Sequence, residues 1–549
     1  MMKRFVVWFL IFAMVAAVFS GCTPGEKPAE SSEQAETESG EEGDTVKKLK
    51  VGVPQNANVT DYDDNGFTKY IEESLGIDIE FVYFSSSASE YLKQITLMCT
   101  SKERLPDVLW GFYGIDRYTV NEFGEDGYFL DLSELLETKA PHYQEAYAKL
   151  DAEMQDAIRT RGTSTVDGGF YGMPMVTVTP VIDTMQNILY INQTWLDKLG
   201  LKAPETPDEL YRVLKAFKEQ DPNGNGIADE IPMLSSGIES YILNGFVEIE
   251  AYGFNVTDGK VWNPTSTDEY RQGLEFCRKL NAEGLLDDMC FTLTSQAEYT
   301  SLITPADDVA RVGIWQGHPQ LATSQSSRIL DQYTALAPLK DATGRGGYLI
   351  NSPNDMYFCS FITEDCKDID TAMKFLDFFY VDETVTRMHH GVKDVDWVYE
   401  DGVNDYGEPS KFRLLDANAA FQGNSIWGTQ GHAIRTAENY LTSTSDGLAG
   451  RNAEASRLLG ESYQVMKAGR YPEDALHYLN YTVEEYEKRN RLATLYNQYV
   501  SESRALFITG QNDVNNDQVW AAYLAELKTL GEDTLIEVAE SAYLRGLGK

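Results

Sequence analysis

The apolar positions along the chain switch repeatedly between two periods. LKVGV (49–53), IDIEFVYF (77–84) and PDVLWGF (106–112) carry the short β-rich runs of strands. FTKYIEESLG (67–76) and SEYLKQITLMCTSKERL (89–105) carry amphipathic helical spacing, the first closed by Gly76. This β-α-β-α-β alternation predicts a parallel sheet with helices on its faces. A second α/β unit is expected to begin near DGGFYGMP (167–174), with ILYINQTWLDKLGL (188–201) as strand then helix. Thr206, Pro207, Asp208 and Glu209 read as a capping box with proline at the first helical position, followed by Leu210, Val213, Leu214 and Phe217 at helical spacing. Further strands are expected at 309–315, 333–339 and 355–362, and an amphipathic helix at 368–380. From about residue 430 onward the pattern is almost wholly helical, at 451–468, 482–506, 516–530 and 533–545.

The 549-residue length favours two or three domains, and 42% hydrophobic and 12% aromatic residues are those of a globular protein. The N-terminus begins with Lys3 and Arg4, followed by an apolar run from Phe5 to Phe19. That run is short for a bilayer-spanning helix, which needs ~20 residues, and suits an export signal. Ser20 and Gly21 precede Cys22 in what resembles a bacterial lipoprotein box, from which Phe19 is a departure. Residues 1–21 are therefore read as a lipoprotein signal peptide, with Cys22 acylated at the outer face of the bacterial cytoplasmic membrane; a plain secreted protein is the alternative. Residues 22–48 are acidic and lack aromatics, the composition of a disordered tether. A net charge of −40 without a basic stripe argues against nucleic acid. Beyond Cys22, the five cysteines (99, 277, 290, 359, 366) lack CxxC spacing and read as reduced core residues.

DPNGNGIADEIP (221–232) sets oxygen-bearing side chains at positions 1, 3 and 5, glycine at 6 and a backbone carbonyl at 7, the front half of a calcium loop. Position 12 is Pro232 where an EF-hand has glutamate, so Asp229 and Glu230 are expected to complete the shell. Asp221, Asn223, Asn225, the Ile227 carbonyl, Asp229 and Glu230 thus form a candidate structural Ca2+ site; the bland alternative is a polar Asn/Gly turn. DYDDNGFTKYIE (61–72) fits the EF-hand expression formally, yet Lys69 stands at position 9 and no helix precedes Asp61, so it reads as a strand-to-helix turn with Glu72 facing solvent. DVNND (513–517) repeats the spacing more weakly. HExxH, GxSxG, GxxxxGK[ST] and CxxC are all missing, and the six histidines are scattered. Paired carboxylates are numerous simply because there are 86 acids.

The order of LPDVL (105–109), GYFLDLSELL (127–136), DGGFYGMP, YINQTWLDKLGL (190–201), PETPDEL (204–210) and the 221–232 loop resembles the extracellular solute-binding proteins, family 1, the capture subunits of ABC importers. EGLLDDM (283–289), VARVGIW, GVKDVDW (391–397) and FITG (507–510) extend the resemblance, which is nearest to the alginate/oligosaccharide-binding branch. It implies an α/β, two-lobed periplasmic-binding-protein type II fold with hinge crossovers and a helical C-terminal part. The N-lobe would comprise 49–175 and 345–388, the C-lobe 176–344 and 389–549, with crossings near Met173–Thr177, Arg345–Asn351 and His389–Asp394. In that branch a calcium site uses the same spacing. The implied function is non-enzymatic: a lipid-anchored, monomeric protein capturing an oligosaccharide by lobe closure and passing it to membrane permease subunits. Sugar sites combine flat aromatics with polar partners, and Asp61, Tyr62, Trp110, Tyr113, Trp315, Trp397 and Trp427 lie at or after strand ends or near expected crossings, so they are candidate cleft residues. Three alternatives stay open: a peptide or other small-solute receptor on the same scaffold, a surface glycan hydrolase, and an adhesive surface protein without a cleft.

Overall fold

The computed structural model describes residues 46–177, 188–234, 237–249, 253–293, 295–319, 324, 327–340, 356–404, 406–415, 423–428, 431–435, 443–444, 453–469, 476 and 479–547. The expected signal peptide, Cys22, the expected tether up to residue 45 and the crossing expected at 345–351 lie outside these residues. Lys47 and Lys48, assigned to the tether, instead open the first strand, where Lys47 reaches Asp368 at 2.8 Å.

The chain enters the first lobe as β1 (Lys47–Pro54), α1 (Gly66–Leu75), β2 (Ile77–Phe84), α2 (Ala88–Ser101), β3 (Val108–Trp110) and α3 (Arg117–Glu125). Asn65 caps α1, and Gly76 ends it in the left-handed conformation at φ 66°, where a side chain would be strained. β1 pairs in parallel with both β2 and β3, as the alternation predicts. After β4 (Met173–Thr177) the chain leaves for the second lobe. There it forms β5 (Leu189–Asn192), α4 (Pro207–Glu219), β6 (Ile231–Leu234), the hairpin β7 (Asn255–Thr257) and β8 (Lys260–Trp262), α5 (Asp268–Ala282), β9 (Val312–Gln316) and β10 (Tyr333–Leu336). The Thr206 side chain caps α4 by accepting from the Glu209 N–H, while the Glu209 carboxylate takes the N–H of Glu205.

The chain then returns as β11 (Met356–Ile362), α6 (Ile369–Asp377) and α7 (Asp382–His390). A small sheet of β12 (Trp397–Val403) and β13 (Pro409–Leu414) follows, and then β14 (Ile434–Arg435) and β15 (Ser443–Thr444). Helices α8 (Ala453–Lys467), α9 (Val483–Ile508), α10 (Asp517–Thr529) and α11 (Glu532–Gly546) complete the chain, close to their expected bounds. The first lobe is a six-stranded sheet ordered β14-β4-β11-β3-β1-β2, with β11 antiparallel to its neighbours. The second is a four-stranded sheet ordered β10-β5-β9-β6.

The buried apolar residues divide between two large cores. One gathers residues from 49 to 176, 356 to 388 and 427 to 434; the other gathers residues from 188 to 339 and 455 to 535. Two expectations are corrected by this division. Residues after about 430 are not all helical, because β14 pairs in parallel with β4 (Ile434 with Val176). The third crossing does not fall at His389–Asp394, because Trp427, Ala433 and Ile434 still belong to the first core, although Tyr406 before them packs against the second. The five cysteines are free and buried, as core residues should be.

His432 pins this late passage to the first lobe. Its Nδ1 lies 2.7 Å from Ser360 Oγ on β11, and its Nε2 lies 2.7 Å from the Leu376 carbonyl. Burial drives its pKa from 6.5 down to about 4. The unfolded chain therefore takes up the proton first as pH falls. Stability is full above pH 6.5 and is lost by about 3 kcal/mol as pH falls towards 4. Urea denaturation at pH 7 and pH 4 is expected to show a drop in unfolding free energy smaller by about that amount in His432→Gln than in wild type. An unchanged drop would remove His432 as its source.

Candidate functional site

Two places combine polar groups in ways the folding core does not require: the 221–230 loop and a cavity between the lobes.

The loop leaves α4 at its C-terminus and runs into β6. Its backbone passes through the left-handed region at Asp221, Gly224 and Gly226 (φ 45°, 74° and 73°). Gly226 thus makes the turn its spacing calls for. The Asp221 carboxylate accepts the N–H groups of Gly224, Asn225 and Gly226 at 3.0, 3.2 and 3.0 Å. The side-chain oxygens of Asn223 and Asn225 accept the N–H groups of Asn225 and Ile227. Both asparagine amides donate to Asp229 Oδ1 at 3.0 Å, and Arg311 Nε donates to Asp229 Oδ2 at 2.9 Å. Burial works to raise the Asp229 pKa, but the amides of Asn225 and Asn223 and the Arg311 guanidinium hold it below the ordinary value. Glu230 is shifted the other way, by burial first and then by the charges of Asp221 and Asp229. Its Oε1 is buried and has no hydrogen-bond partner.

Among the described residues no three His, Cys, Asp or Glu side chains are drawn together as a metal cluster. The donor set nevertheless fits a hard cation. All six groups offer oxygen, the amide and carbonyl oxygens keep a second lone pair beside the N–H they accept, and Glu230 Oε1 lacks a partner. The two formal rivals do not fit. Asp64 is taken by Lys69, Asn65 caps α1, and Glu72 accepts the Ile79 N–H at 2.9 Å rather than facing solvent. At 513–517, Arg278 takes Asp513 and Arg271 takes Asp517.

The cavity has a volume of about 360 Å³, within the range of small-ligand sites. From the first lobe it is lined by Tyr113, Asp116, Arg117 and Tyr118 after β3, and by Tyr357 on β11. From the second it is lined by Phe254, Tyr481, Tyr486, Arg489 and Asn497. Aromatic faces thus stand beside carboxylate, guanidinium and amide groups. Tyr357 is 49% exposed, and the Tyr113 hydroxyl is buried without a partner.

Of the candidate cleft residues, Tyr113 lies on this wall, and Asp61 is exposed in a turn where its Oδ1 accepts the N–H groups of Asp63 and Asp64. The other five are corrected. Trp110 and Trp427 are fully buried and meet edge-to-face at 4.7 Å. Trp427 Nε1 donates to Thr68 Oγ1 at 2.8 Å. Tyr62, 3% exposed, accepts the Asn56 N–H beneath them. Trp315 packs on Tyr190 at 4.4 Å in the second core. Trp397 donates to the Gly391 carbonyl and packs on Phe412. All five are buried, so none presents a face to a ligand. Arg117, Tyr118, Tyr481 and Tyr486 were missed. Their sequence spacing marks helix starts but carries no sign that residues 118 and 486 meet.

The family model described as bacterial extracellular solute-binding protein matches residues 56–284. The fructooligosaccharide ABC transporter substrate-binding protein FusA of Streptococcus pneumoniae is 29% identical over 233 residues, covering 40% of this chain and 41% of its own. Lipoprotein LipO of Bacillus subtilis is 30% identical over 261 residues, covering 44% and 49%. The matched segments thus span less than half the length of these two relatives. A solved structure of an S. pneumoniae FusA EF-hand mutant in complex with fructo-nystose matches with a TM-score of 0.70 over 91% of this chain and 100% of that one, at 20% identity, which shows the two-lobed fold. Over residues 56–284 the chain is thus similar to the bacterial extracellular solute-binding proteins.

Proposed function

We propose that this protein is the lipid-anchored capture component of an ABC importer, binding an oligosaccharide in the cavity between its lobes without catalysing a reaction. The observation that carries this reading is the cavity wall, where tyrosine and phenylalanine rings from both lobes stand beside Asp116, Arg117, Arg489 and Asn497. A sugar offers apolar C–H faces to the rings and hydroxyls to the polar groups. The name of FusA supports an oligosaccharide as ligand and permease subunits as partners. The name of LipO supports acylation at Cys22. Closure follows from ligand contacts that the open state lacks.

The 221–230 loop is proposed to hold structural calcium through Asp221, Asn223, Asn225, the Ile227 carbonyl, Asp229 and Glu230. The support is the all-oxygen donor set, the unpartnered Glu230 oxygen and the EF-hand named in the FusA structure. The cation would supply the positive charge that three neighbouring carboxylates lack. Arg311 would keep its hold on Asp229 Oδ2.

Three outcomes are expected. A thermal-shift screen of kestose, nystose, galacturonan oligomers, milk oligosaccharides and peptides should stabilise the protein only with a saccharide, by about 2.7 kcal/mol at a hundredfold excess over Kd. Tyr357→Ala should then weaken that saccharide about tenfold at unchanged Tm; stabilisation by peptides alone would reverse the assignment. Chelation of calcium should lower the wild-type Tm by roughly 5 °C and leave a doubly substituted Asp229→Asn, Glu230→Gln protein unmoved. An unmoved wild type, with metal loss verified by elemental analysis, would refute the calcium site. Finally, Cys22→Ser should abolish incorporation of labelled fatty acid, and labelled Cys22→Ser protein would place the lipid elsewhere.

A further inference from the structure

We propose that the saccharide this cavity receives is acidic, an oligosaccharide whose carboxylate or other oxyanion is held by Arg489 and attracted by Arg117. The inference rests on the reading of the cavity as a saccharide site, and adds the charge class of the ligand.

The chain carries a formal charge of −40, with 86 acids against 46 lysines and arginines. Its arginines are accordingly well supplied with carboxylates. Arg278 takes Asp513 at 2.6 Å, Arg311 takes Asp307 at 2.7 Å, Arg387 takes Glu383 at 2.8 Å and Arg545 takes Glu485 at 2.7 Å. The cavity reverses this balance. Among the described residues, its charged lining side chains are Arg117, Arg161, Arg489 and Asp116, three cations to one anion. Arg117 donates to the carbonyls of Arg161 and Leu479, to the Asn480 amide oxygen and to the Tyr118 hydroxyl. Arg489 donates through Nη1 to the Asn490 amide oxygen at 3.0 Å. These acceptors are neutral, and neither arginine makes an ion pair among the described residues. Asp116 is already committed elsewhere. Its Oδ1 accepts the N–H groups of Tyr118 and Thr119 at 3.0 and 3.2 Å, and its Oδ2 accepts the Thr119 hydroxyl at 2.8 Å. The start of α3 thus takes up that negative charge.

Arg489, on α9, keeps Nε and Nη2 without a protein acceptor among the described residues. That edge of the planar fork matches the two oxygens of a carboxylate. Its guanidinium lies 5.8 Å from the Tyr481 ring centre, and that of Arg117 lies 4.6 Å from the Tyr118 ring centre. Both charges therefore stand beside aromatic faces that suit a sugar ring. The Asn497 amide and the partnerless Tyr113 hydroxyl line the same wall. Burial and then Cys359 raise the Tyr113 pKa far above its ordinary value, against the charge of Arg435, so a further guanidinium acts on this end of the cavity. The net negative charge of the chain does not cancel these groups. At physiological salt, exposed charges more than about 8 Å apart are largely screened, so the nearby guanidiniums decide what an ionised ligand meets. A neutral sugar would gain from them only ordinary hydrogen bonds, whereas an oxyanion gains charge-assisted ones.

The test is calorimetric titration of the protein at pH 7 with matched ligands. Trimers of galacturonate, mannuronate and glucuronate are each compared with their fully methyl-esterified forms, with kestose and a sulfated galactan trimer as further arms. One uronate should bind about tenfold or more tightly than its ester, because esterification removes the charge and keeps the ring. Arg489→Gln should bring that acid-to-ester ratio to about one, and Arg117→Gln should reduce it less. Arg489→Lys keeps the charge but loses the fork, and should fall between wild type and Arg489→Gln. A merely structural role would weaken acid and ester together; a ratio left standing in Arg489→Gln would overturn the assignment. Binding of the sulfated trimer alone, lost in Arg489→Gln, would uphold the oxyanion site and put the charge on a sulfate ester. Should a variant fail to fold, the wild-type ratio decides by itself. Equal or tighter binding of an ester or of kestose would overturn the acidic ligand and leave the saccharide reading in place. Silence of every saccharide would overturn both.

Discussion

The buried apolar side chains of this chain fall into two large sets with no member in common, and the remaining architecture follows from that separation. Each sheet must be covered on its own faces, because hydrophobic burial is local to the surface removed from water. The chain visits the first core, the second, the first again and the second again, so its lobes are joined only by passages between sheets. Where the lobes face each other, Ile115, Met356 and Phe358 of the first core and Leu535 of the second reach the cavity. Tyrosines, arginines, an aspartate and an asparagine stand among these apolar groups on the cavity wall. The proposed capture site is thus placed where the two cores meet.

The 221–230 loop obeys a different constraint. Like charges within ten residues repel unless donors or cations are placed among them. Here backbone N–H groups take up Asp221, two amides and a guanidinium take up Asp229, and one oxygen of Glu230 is left over. Arg311 also grips Asp307 with two N–H groups, at 2.9 and 2.7 Å, and drives that carboxyl down to about 2. Its carbonyl accepts the Ile231 N–H at 2.7 Å at the start of β6. One residue thus fastens the loop by side chain and backbone to the edge of the β6–β9 pair, away from the cavity wall. A cation proposed for the loop would brace the second lobe in the same way.

Much of this was legible in the residues alone. Periods of two and 3.6 placed β1, β2, α1, α4 and the four C-terminal helices within a few residues, because their apolar faces are long enough to average out single exceptions. The loop was legible because its chemistry is contiguous: oxygen spacing and glycine turns are both local. The cavity was not, because Tyr118 and Tyr486 lie 368 positions apart in a chain with 32 tyrosines, and local spacing carries no record of which distant helix start a ring will meet. β14 was also invisible, since two residues hold no period.

The two failures in the first lobe have one physical cause. A tryptophan at the end of a strand is exposed only if nothing returns to cover it, and the expected crossing at residue 389 sent the rest of the chain to the other lobe. Instead the 423–435 passage comes back. Asn424 and Ile426 anchor to Asn65, Trp427 lodges against Trp110 and Phe67, and Gly431 lies so close to Trp110 that a methyl group on it would come within 2.4 Å of the ring. Residue 431 is therefore a position where glycine is required by packing. The same return buries Tyr62 beneath Trp427, whose carbonyl lies 3.3 Å from its hydroxyl. Indole rings became core because the chain came back over them. Tyrosines became the cavity wall because a ring with a polar tip tolerates having one end in water and the other against protein.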